Sequence, residues 1–418
     1  MLVFKFGGAS VKDADGLVNL ANVVKKYEGE QLLIVVSAMG KTTNTLENLV
    51  NAYVKRQDDV YAIFDEIKQY HENIMQRLFE SNHPVFDEVA NTFVEIDWII
   101  EEEPQDEYDF IYDQVVSIGE MVSTRIVNAY LNKTGQKSLW IDVRGYIHTD
   151  NTYREGIVDW DKTRESISKE IPAKLQKGIV VTQGFLGGTS ENFTTTLGRE
   201  GSDYTAAIFA ACLGAESATT WKDVPGILNA DPKFFGDTVK FDELTYTEAI
   251  EMTYYGATVI HPKTIKPLQN AGIPLLVKSF TNPGGTGTII KENANISFSK
   301  PVIILKKNQV LVSISPKDYS FISENNLSEI FGMFAKTQVK INMMQTSALS
   351  FSVCFDYNAD KLKKLFELLT NNFRVKYNEG LTLMTLRHYA ETNLRDLTAN
   401  KTILLEQVSR NTIQFILA

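Results

Sequence analysis

Short apolar runs recur along the first two thirds of the chain and are separated by segments with helical spacing. Leu2–Phe6 and Leu32–Ser37 are mostly apolar, as is typical of strands buried on both faces. Strands that alternate with helices of this length favour an α/β fold, in which helices sandwich a mainly parallel sheet. The same pattern predicts further strands at Ser138–Val143, Gly178–Gln183, Ala218–Trp221 and Pro274–Ser279.

The intervening segments carry apolar residues at the spacing of amphipathic helices. Asp13 predicts the N-cap of a helix that runs to about Lys26. A long helical region covers residues 46 to about 130. We expect breaks near His83-Pro84 and Glu103-Pro104, because the residue before a proline avoids the helical conformation.

The composition changes between Ser279 and Ser299, where turn and polar residues replace the apolar runs. We expect a domain boundary there, near residue 295. The pattern then becomes strand, helix, strand, strand, helix, and a similar start recurs later. We predict one large domain over residues 1–295 and two small α+β (βαββαβ) modules over 300–378 and 379–418, the second incomplete. The predicted strands are Gln309–Ser315, Val339–Met344, Ser350–Phe355, Leu381–Arg387, Lys401–Glu406 and Thr412–Leu417, and the predicted helices are Tyr319–Thr337 and Lys361–Leu369.

The net charge argues against one broad class of function. The 418 residues include 42 Lys and Arg against 52 Asp and Glu, so the formal charge is −10. A general nucleic-acid binder needs surplus cations to neutralise phosphates, so we expect no nucleic-acid partner. Apolar residues make up 44% of the chain, yet the longest apolar runs are far shorter than the roughly 18 residues of a membrane helix. No membrane partner is therefore expected.

The cysteines and histidines carry little sign of special chemistry. Cys212 and Cys354 lie in separate apolar runs, which favours reduced thiols in a cytoplasmic protein over a disulfide. The first residues lead into a strand without a basic segment, so we expect no secretory signal. The five histidines show no ligand spacing with the cysteines, and we expect no metal site built from them.

Two segments with polar residues begin at the ends of the first two predicted strands, where folds of this kind place ligands. Lys5–Val11 combines a lysine with a Gly-Gly pair that lets backbone N–H groups approach an anion. The segment suits a phosphate but lacks the P-loop pattern, and a plain turn is the alternative. In Ser37–Asn44, Thr43 either hydrogen-bonds a substrate or caps the next helix.

The most specific stretch lies between residues 183 and 206, where a glycine-rich loop leads into an apolar helix predicted at Tyr204–Leu213. Arg199 can grip a carboxylate or phosphate with its planar fork. Ser202 adds a donor near the start of the helix. Asp203 can orient a lysine or help to hold Mg²⁺; an Asp N-cap beside a surface Arg is the alternative.

Other polar residues are ambiguous when taken alone. Trp221–Ile227, followed by Asp231–Lys233, puts charges around a Pro-Gly turn after a predicted strand. These charges either face a nucleotide or belong to an ordinary loop. Glu120 lies in the predicted helical region, where most glutamates face solvent. His261-Pro262 predicts the start of a helix.

Taken together, these segments resemble the aspartokinases of the amino acid kinase family. The resemblance covers almost the whole chain and implies ATP-dependent phosphorylation of the side-chain carboxylate of L-aspartate. The product is 4-phospho-L-aspartate, at the entry to lysine, threonine and methionine synthesis. The segments that carry the resemblance are Lys5–Val11, Gly198–Ala206, Trp221–Gly226 with Asp231-Pro232, and Gly256–Pro262.

The resemblance also implies roles for individual residues, with ATP and Mg²⁺ as cofactors. Lys5 is expected to contact the transferred phosphoryl group, and Asp203 to organise Lys5 and the metal-bound phosphates. Glu120 is expected to meet the substrate ammonium and Arg199 a substrate carboxylate. The implied aspartate site consists of Thr43, Glu120, Phe185, Arg199 and Ser202. The implied nucleotide site consists of Lys5, Gly7, Gly8, Ser37, Lys222, Asp223, Leu228, Lys233, Thr258 and Val259.

Several positions depart from the family pattern. Some members carry Lys at Thr258, Tyr at Leu228 and Arg at Lys233, so we expect the cationic clamp on ATP to be rebuilt through Lys222. Glu200 replaces a common glycine and puts negative charge beside a phosphate site. Thr258, Leu228 and Glu200 motivate an alternative, a non-catalytic amino-acid sensor that keeps the fold but has lost the nucleotide clamp. Another amino acid kinase is a further alternative, although those relatives usually lack paired sensing modules.

The C-terminal modules resemble the ACT domains of this family. Asn326–Ser347 matches best, whereas Ala348 stands where lysine-sensitive members often have Glu. The resemblance implies feedback by lysine or threonine. It also implies a homodimer, or a dimer of dimers, formed through these modules.

Overall fold

The computed structural model describes residues 1–257, 260–296, 298, 300–318, 320–389, 397–399 and 401–418. The chain divides into two units. The first comprises Met1–Ile227, Lys240–Ile250 and Val259–Ile296, and the second comprises Leu228–Val239, Glu251–Thr258 and Ser297–Ala418. The last change of unit lies beside the boundary expected near residue 295, and two short earlier segments join the second unit. The finer division at 300–378 and 379–418 stays a prediction.

The strands up to Lys291 form one large sheet and one small ladder. In chain order they are β1 (Leu2–Phe6), β2 (Leu32–Val36), β3 (Ser138–Trp140), β4 (Ile179–Gln183), β5 (Leu186–Gly188), β6 (Thr194–Thr196), β7 (Ser217–Lys222), β8 (Glu243–Thr245), β9 (Leu275–Ser279) and β10 (Thr288–Lys291). The large sheet has the order β3-β4-β2-β1-β7-β9-β10-β8, and β5 pairs with β6 alone. Neighbours in the large sheet are parallel except β9 and β10. The predicted mainly parallel sheet is confirmed.

Helices follow most of these strands. They are α1 (Ala14–Lys25), α2 (Thr42–Val54), α3 (Val60–Leu78), α4 (Val85–Glu101), α5 (Tyr108–Lys133), α6 (Trp160–Leu175), α7 (Gly201–Leu213), α8 (Tyr246–Tyr255) and α9 (Pro262–Ala271). Asp13 caps α1 by accepting a hydrogen bond from Gly16 N, and His261 caps α9. The breaks expected near His83-Pro84 and Glu103-Pro104 are confirmed, because they separate α3 from α4 and α4 from α5. None of the helices in the described part of the chain is long and apolar enough to span a bilayer.

Aromatic side chains on one face of β1 anchor the centre of the first unit. Phe6 stacks on Trp221 at 6.1 Å between ring centroids, and Phe4 meets the same indole edge-on at 5.5 Å. All three rings are fully buried, which is worth about 1.5–3 kcal/mol for each side chain. Because side chains alternate along a strand, Lys5 between the two phenylalanines projects from the opposite face.

The second unit is built on an antiparallel sheet. Its strands are β11 (Val302–Pro316), β12 (Ile341–Thr346), β13 (Phe351–Asp356), β14 (Phe373–Arg387), β15 (Ile403–Val408) and β16 (Thr412–Leu417), and its helices include α10 (Glu324–Lys336) and α11 (Ala359–Asn372). The order is β12-β13-β11-β14-β16-β15. β14 crosses the predicted border between residues 378 and 379, so the sheet is continuous there.

The helix expected at Tyr319–Thr337 begins later than predicted. Ser323 forms a capping box with Asn326, so that α10 starts at Glu324. Tyr319 itself lies outside the described residues. The apolar faces of α10 and α11 pack on the sheet around Phe355 and Leu365, both of which are fully buried. This α+β arrangement agrees with the predicted ACT-like character of the region.

Candidate active site

The carboxyl ends of four neighbouring parallel strands meet at one edge of the large sheet. The strands β4, β2, β1 and β7 lie side by side, and each is followed by a turn that the sequence singled out. Backbone hydrogen bonds join these turns. Ser37 N donates to Phe6 O at 3.1 Å, and Gly184 N donates to Val36 O at 2.9 Å. Segments that are far apart in sequence therefore form one continuous floor, as is usual for ligand sites in such sheets.

A cavity of about 530 Å³ opens above this floor. Seven residues that the sequence predicted line it together: Lys5, Ser37, Thr43, Glu120, Phe185, Arg199 and Ser202. Seven others complete the wall: Tyr112, Arg154, Glu155, Thr196, Gly198, Glu200 and Gly201. The predicted aspartate-site residues thus converge on one cavity.

Lys5 and Asp203 form a buried ion pair beside the cavity. The Lys5 Nζ atom lies 2.9 Å from Asp203 Oδ1, and the two side chains are 11% and 1% exposed. Burial opposes ionisation of Asp203, but the ammonium groups of Lys5 and Lys222 outweigh it and hold the carboxyl pKa well below its usual range. Asp203 is therefore a permanent anion at neutral pH and cannot serve as an effective base.

Strand register brings Lys222 to the same carboxylate. Lys5 pairs with Thr220 in β7, and Lys222 lies two residues further on, so its side chain leaves the same face of the sheet. Its Nζ atom lies 3.4 Å from Asp203 Oδ2 and 3.7 Å from Glu200 Oε2. Burial alone would lower the pKa of the Lys222 ammonium group. The carboxylates of Asp203 and Glu200 raise that pKa by a larger amount, so the net shift is upward. The amine therefore stays charged.

The start of α7 differs from the prediction. The helix begins at Gly201 rather than Tyr204, so Asp203 lies in its first turn and is not the N-cap. Glu200 occupies the cap position with φ 58° and ψ 25°, the left-handed region. That conformation costs a non-glycine residue about 1–2 kcal/mol, which explains why a glycine would suit the position. The Asp203 carboxylate in the first turn also interacts favourably with the positive end of the helix dipole of α7.

Glu120 is a buried carboxyl group, and one of its two oxygens has no hydrogen-bond partner among the described residues. It lies on α5 and is 2% exposed. Its Oε1 atom accepts a hydrogen bond from Ala38 N at 3.1 Å, whereas Oε2 has no partner among the described residues. Burial raises its pKa to about 8, although the Ala38 N–H and the Lys5 charge act in the opposite direction. The sequence-based alternative of a solvent-facing glutamate is wrong, and the side chain is suited to a cationic group.

Two glycines allow the close approach of the loops around Lys5. A Cβ atom on Gly8 would lie 2.6 Å from Ala38 O, closer than any real contact. Gly8 O accepts a hydrogen bond from Gly40 N at 3.0 Å, which locks the turns after β1 and β2 together. Gly7 lies against the amine, since its Cβ would be 3.4 Å from Lys5 Nζ. The absence of side chains at Gly7 and Gly8 therefore lets this turn pack closely against the Lys5 amine and the neighbouring loop.

The remaining sequence predictions divide into four groups. Thr43 lies inside α2, whose N-cap is Lys41, so the capping alternative for Thr43 is wrong. Asp223 follows β7 and is exposed. Leu228 and Lys233 belong to a segment of the second unit. Thr258 and Val259 lie outside the described residues.

The sequence missed Arg154 and the network that holds it. Asp113, fully buried on α5, accepts hydrogen bonds from Arg154 N at 2.8 Å and from Thr196 N at 2.9 Å and Oγ1 at 2.8 Å. Burial raises the pKa of Asp113 to about 6, against these hydrogen bonds. The Arg154 guanidinium then stacks over Tyr112 at 4.1 Å from the ring centroid. The only sequence signal was a second acidic residue two helical turns before Glu120.

Known proteins share this fold and align with most of the length of the chain. The model of the amino acid kinase family matches residues 1–279. Lysine-sensitive aspartokinase 3 of Escherichia coli (strain K12) is 30% identical over 393 residues, which cover 92% of this chain and 86% of that protein. Chloroplastic aspartokinase 3 of Arabidopsis thaliana is 30% identical over 421 residues, covering 97% of this chain and 73% of that protein. The chain therefore belongs to the amino acid kinase family and, within it, to the aspartokinases.

Solved structures agree. E. coli aspartokinase III in complex with aspartate and ADP (R-state) superposes with a TM-score of 0.85 at 28% identity, covering 100% of this chain and 96% of that one. The same enzyme in complex with lysine and aspartate (T-state) gives 0.83 at 28% identity, covering 100% of this chain and 95% of that one. The predicted fold class is confirmed.

Replacing Glu120 with Gln should stabilise the ligand-free protein, and the gain should grow with pH. The folded pKa is raised from 4.5 to about 8, so folding retains a proton that the unfolded chain releases. Wild-type stability therefore falls between these pH values, by at most about 1.4 kcal/mol per pH unit, and levels off above them. Thermal unfolding from pH 6 to 9 measures the gain, with exposed Glu165→Gln as control. An equal gain at pH 6 and pH 8 would contradict the assignment.

Proposed function

We propose that this protein transfers the γ-phosphoryl group of ATP to the side-chain carboxylate of L-aspartate, giving 4-phospho-L-aspartate. The observation that carries the proposal is the convergence of Lys5, Asp203 and Lys222 beside a cavity that also contains Glu120 and Arg199. Cations suit the phosphates, and the unpartnered Glu120 oxygen suits an ammonium group. The relative of known structure that binds aspartate and ADP supports this choice.

The substrate would be held by its charged groups. Glu120 would receive the ammonium group, and the exposed Arg199 fork would grip a carboxylate with two parallel hydrogen bonds. Thr43 and Ser202 would add hydroxyl donors, and Phe185 would provide an apolar wall. Opposite charges placed at fixed separations would select an amino acid with a second carboxylate over one with a neutral side chain.

Transfer would depend on alignment and charge neutralisation. The aspartate side chain is already ionised at neutral pH, so the reaction needs no general base. Lys5 would neutralise charge on the transferred group, while Gly7 and Gly8 would offer backbone N–H donors. Asp203 would keep Lys5 in place without becoming protonated. The roughly in-line displacement then follows from positioning.

The nucleotide would arrive with Mg²⁺ bound to its phosphates. Among the described residues, no group of three or more His, Cys, Asp or Glu could hold a metal by itself. Mg²⁺ does not need such a group, because proteins commonly bind it through substrate phosphates and one or two carboxylates. The metal would supply further charge neutralisation. Ser37, Lys222 and Asp223 would border the phosphates, and the roles of Leu228, Lys233, Thr258 and Val259 stay predictions.

Removing either member of the Lys5–Asp203 pair should slow turnover severely. The reaction is followed with ATP and L-aspartate by trapping the acyl phosphate as a hydroxamate. We expect Lys5→Met and Asp203→Asn to lower kcat by roughly a hundredfold or more, because a positioned cation is lost or misplaced. Near-wild-type rates in both variants would exclude this site. Effector binding without any MgATP binding by the wild-type protein would instead favour the sensor alternative.

The affinity for L-aspartate should rise with pH between about 6 and 8. Glu120 is mostly protonated below its pKa of about 8, and only its ionised form can pair with the substrate ammonium. The KM for aspartate should therefore fall as pH rises through this range, by at most tenfold per unit. Glu120→Gln should have a high KM that hardly changes with pH. The same pH dependence in both proteins would show that another group is responsible.

The second unit would regulate the first. Its α+β sheet agrees with an ACT-like sensing region, and a relative of known structure binds lysine. Lysine or threonine is the proposed effector, and the proposed assembly is a homodimer or a dimer of dimers through the ACT-like modules 300–378 and 379–418. A cytoplasmic location is proposed as well.

A mass measurement in solution should detect this assembly. At micromolar concentration we expect at least the mass of two 47.1 kDa chains, and a change in mass or in kinase rate when the true effector is added. Lysine and threonine are added separately, with glycine as the control. A monomer with an unchanged rate under all conditions would contradict both parts.

A further inference from the structure

Glu200 is a carboxylate in an unfavourable position. It adopts left-handed backbone angles that glycine accepts more readily, and only 27% of its side chain is exposed. It also lines the cavity that is to receive anions. A residue that combines backbone strain with partial burial of charge points to a functional constraint.

The partner of Glu200 is Lys222. Their charged atoms are 3.7 Å apart, and Lys222 Nζ lies 3.4 Å from Asp203, whose other oxygen pairs with Lys5 at 2.9 Å. The four groups alternate in sign from Lys5 to Glu200, and their formal charges sum to zero. Burial raises the pKa of Glu200, and the charge of Lys222 acts against that rise.

Asp203 lies closer to the ammonium group of Lys5 than to that of Lys222. Its contact with Lys5 is the shorter one, and the lysine side chain at 222 is long and flexible. Glu200 supplies the second anion on the cavity side of Lys222, so that the ammonium lies between two carboxylates. This arrangement restricts where the amine can move.

We propose that Glu200 is a positioning residue for Lys222. It holds the Lys222 ammonium at the wall of the cavity, oriented towards the nucleotide phosphates, and balances its charge until they arrive. The inference rests on the proposed kinase function, because it directs Lys222 to the phosphates. Glu200 and Lys222 should therefore act as one unit.

A double-mutant cycle tests this unit. Glu200→Gln should lower kcat by roughly tenfold with the KM for aspartate within about twofold, because Lys222 loses its orientation but the aspartate site is intact. In the Lys222→Met background the same Gln substitution should leave kcat unchanged, since no ammonium remains to be positioned. An unchanged kcat in Glu200→Gln, or equal kcat losses in both backgrounds, would overturn the proposal.

ADP binding, measured by calorimetry with Mg²⁺, gives a readout that does not need turnover. Glu200→Gln should tighten ADP binding at least about threefold more in the Lys222→Met background than in the wild-type background, because only there is the carboxylate unscreened. Equal changes in both backgrounds would overturn the pairing. If the wild-type protein makes no acyl phosphate from aspartate but this coupling is present, the proposed function fails and the pairing stands.

Two controls separate positioning from folding. Glu200→Gly relieves the left-handed backbone, so it should be at least as thermostable as wild type and still lose kcat like Glu200→Gln. A Glu200→Gly variant with wild-type kcat would overturn the proposal. The matched cycle uses Glu165→Gln and Lys169→Met, an exposed acid and base one turn apart on α6, and should show no coupling in kcat.

Discussion

The carboxylate of Asp203 is buried as an anion because two ammonium groups lie within ion-pairing distance of it. An unpaired charge at that depth would be strongly destabilising, so Lys5, Lys222 and Asp203 must be placed together. The register between β1 and β7 aims both lysines at one face, and the early start of α7 carries Asp203 to meet them. The strand register and the start of α7 thus both serve one electrostatic requirement, that the buried Asp203 anion be paired with cations.

Two buried carboxylates in the same cavity region behave in opposite ways. Asp203 has cations on both sides, and its pKa falls well below the usual range. Glu120 has one backbone N–H donor and a more distant lysine, and burial raises its pKa to about 8. Environments that shift the pKa values of two carboxyl groups in opposite directions suit the two groups to different tasks. One is a permanent structural anion, and the other is an anion that a ligand can induce.

Short linear segments at strand ends were predictable, whereas long-range contacts were not. Lys5, Arg199 and Asp203 became candidates because glycine and charged residues cluster at the ends of apolar runs, where a parallel sheet gathers its loops. The resemblance to the aspartokinases then implied their roles. The placement of Arg154 depends on hydrogen bonds from its backbone and from Thr196 to Asp113, and the only sequence signal for them was the spacing of Asp113 two helical turns before Glu120. The start of α7 was predicted too late because Gly-Ser-Asp has low helix propensity, which tertiary pairing overrides. The left-handed angles of Glu200 are likewise invisible to composition.

Within a chain whose formal charge is −10, the charges beside the candidate site balance one another locally. Lys5, Lys222, Asp203 and Glu200 together are neutral, so they add little repulsion or attraction at long range. Glu120 is mostly neutral at pH 7 while the cavity holds no ligand, because its pKa is about 8. An incoming dianion therefore does not face this carboxylate in its charged form. An ammonium group on the ligand would restore that charge on arrival, so the site gains attraction only for a ligand that brings its own cation. A dicarboxylate without an amino group would leave Glu120 protonated, so the site would offer it no charge pair there, only a hydrogen bond from the neutral acid.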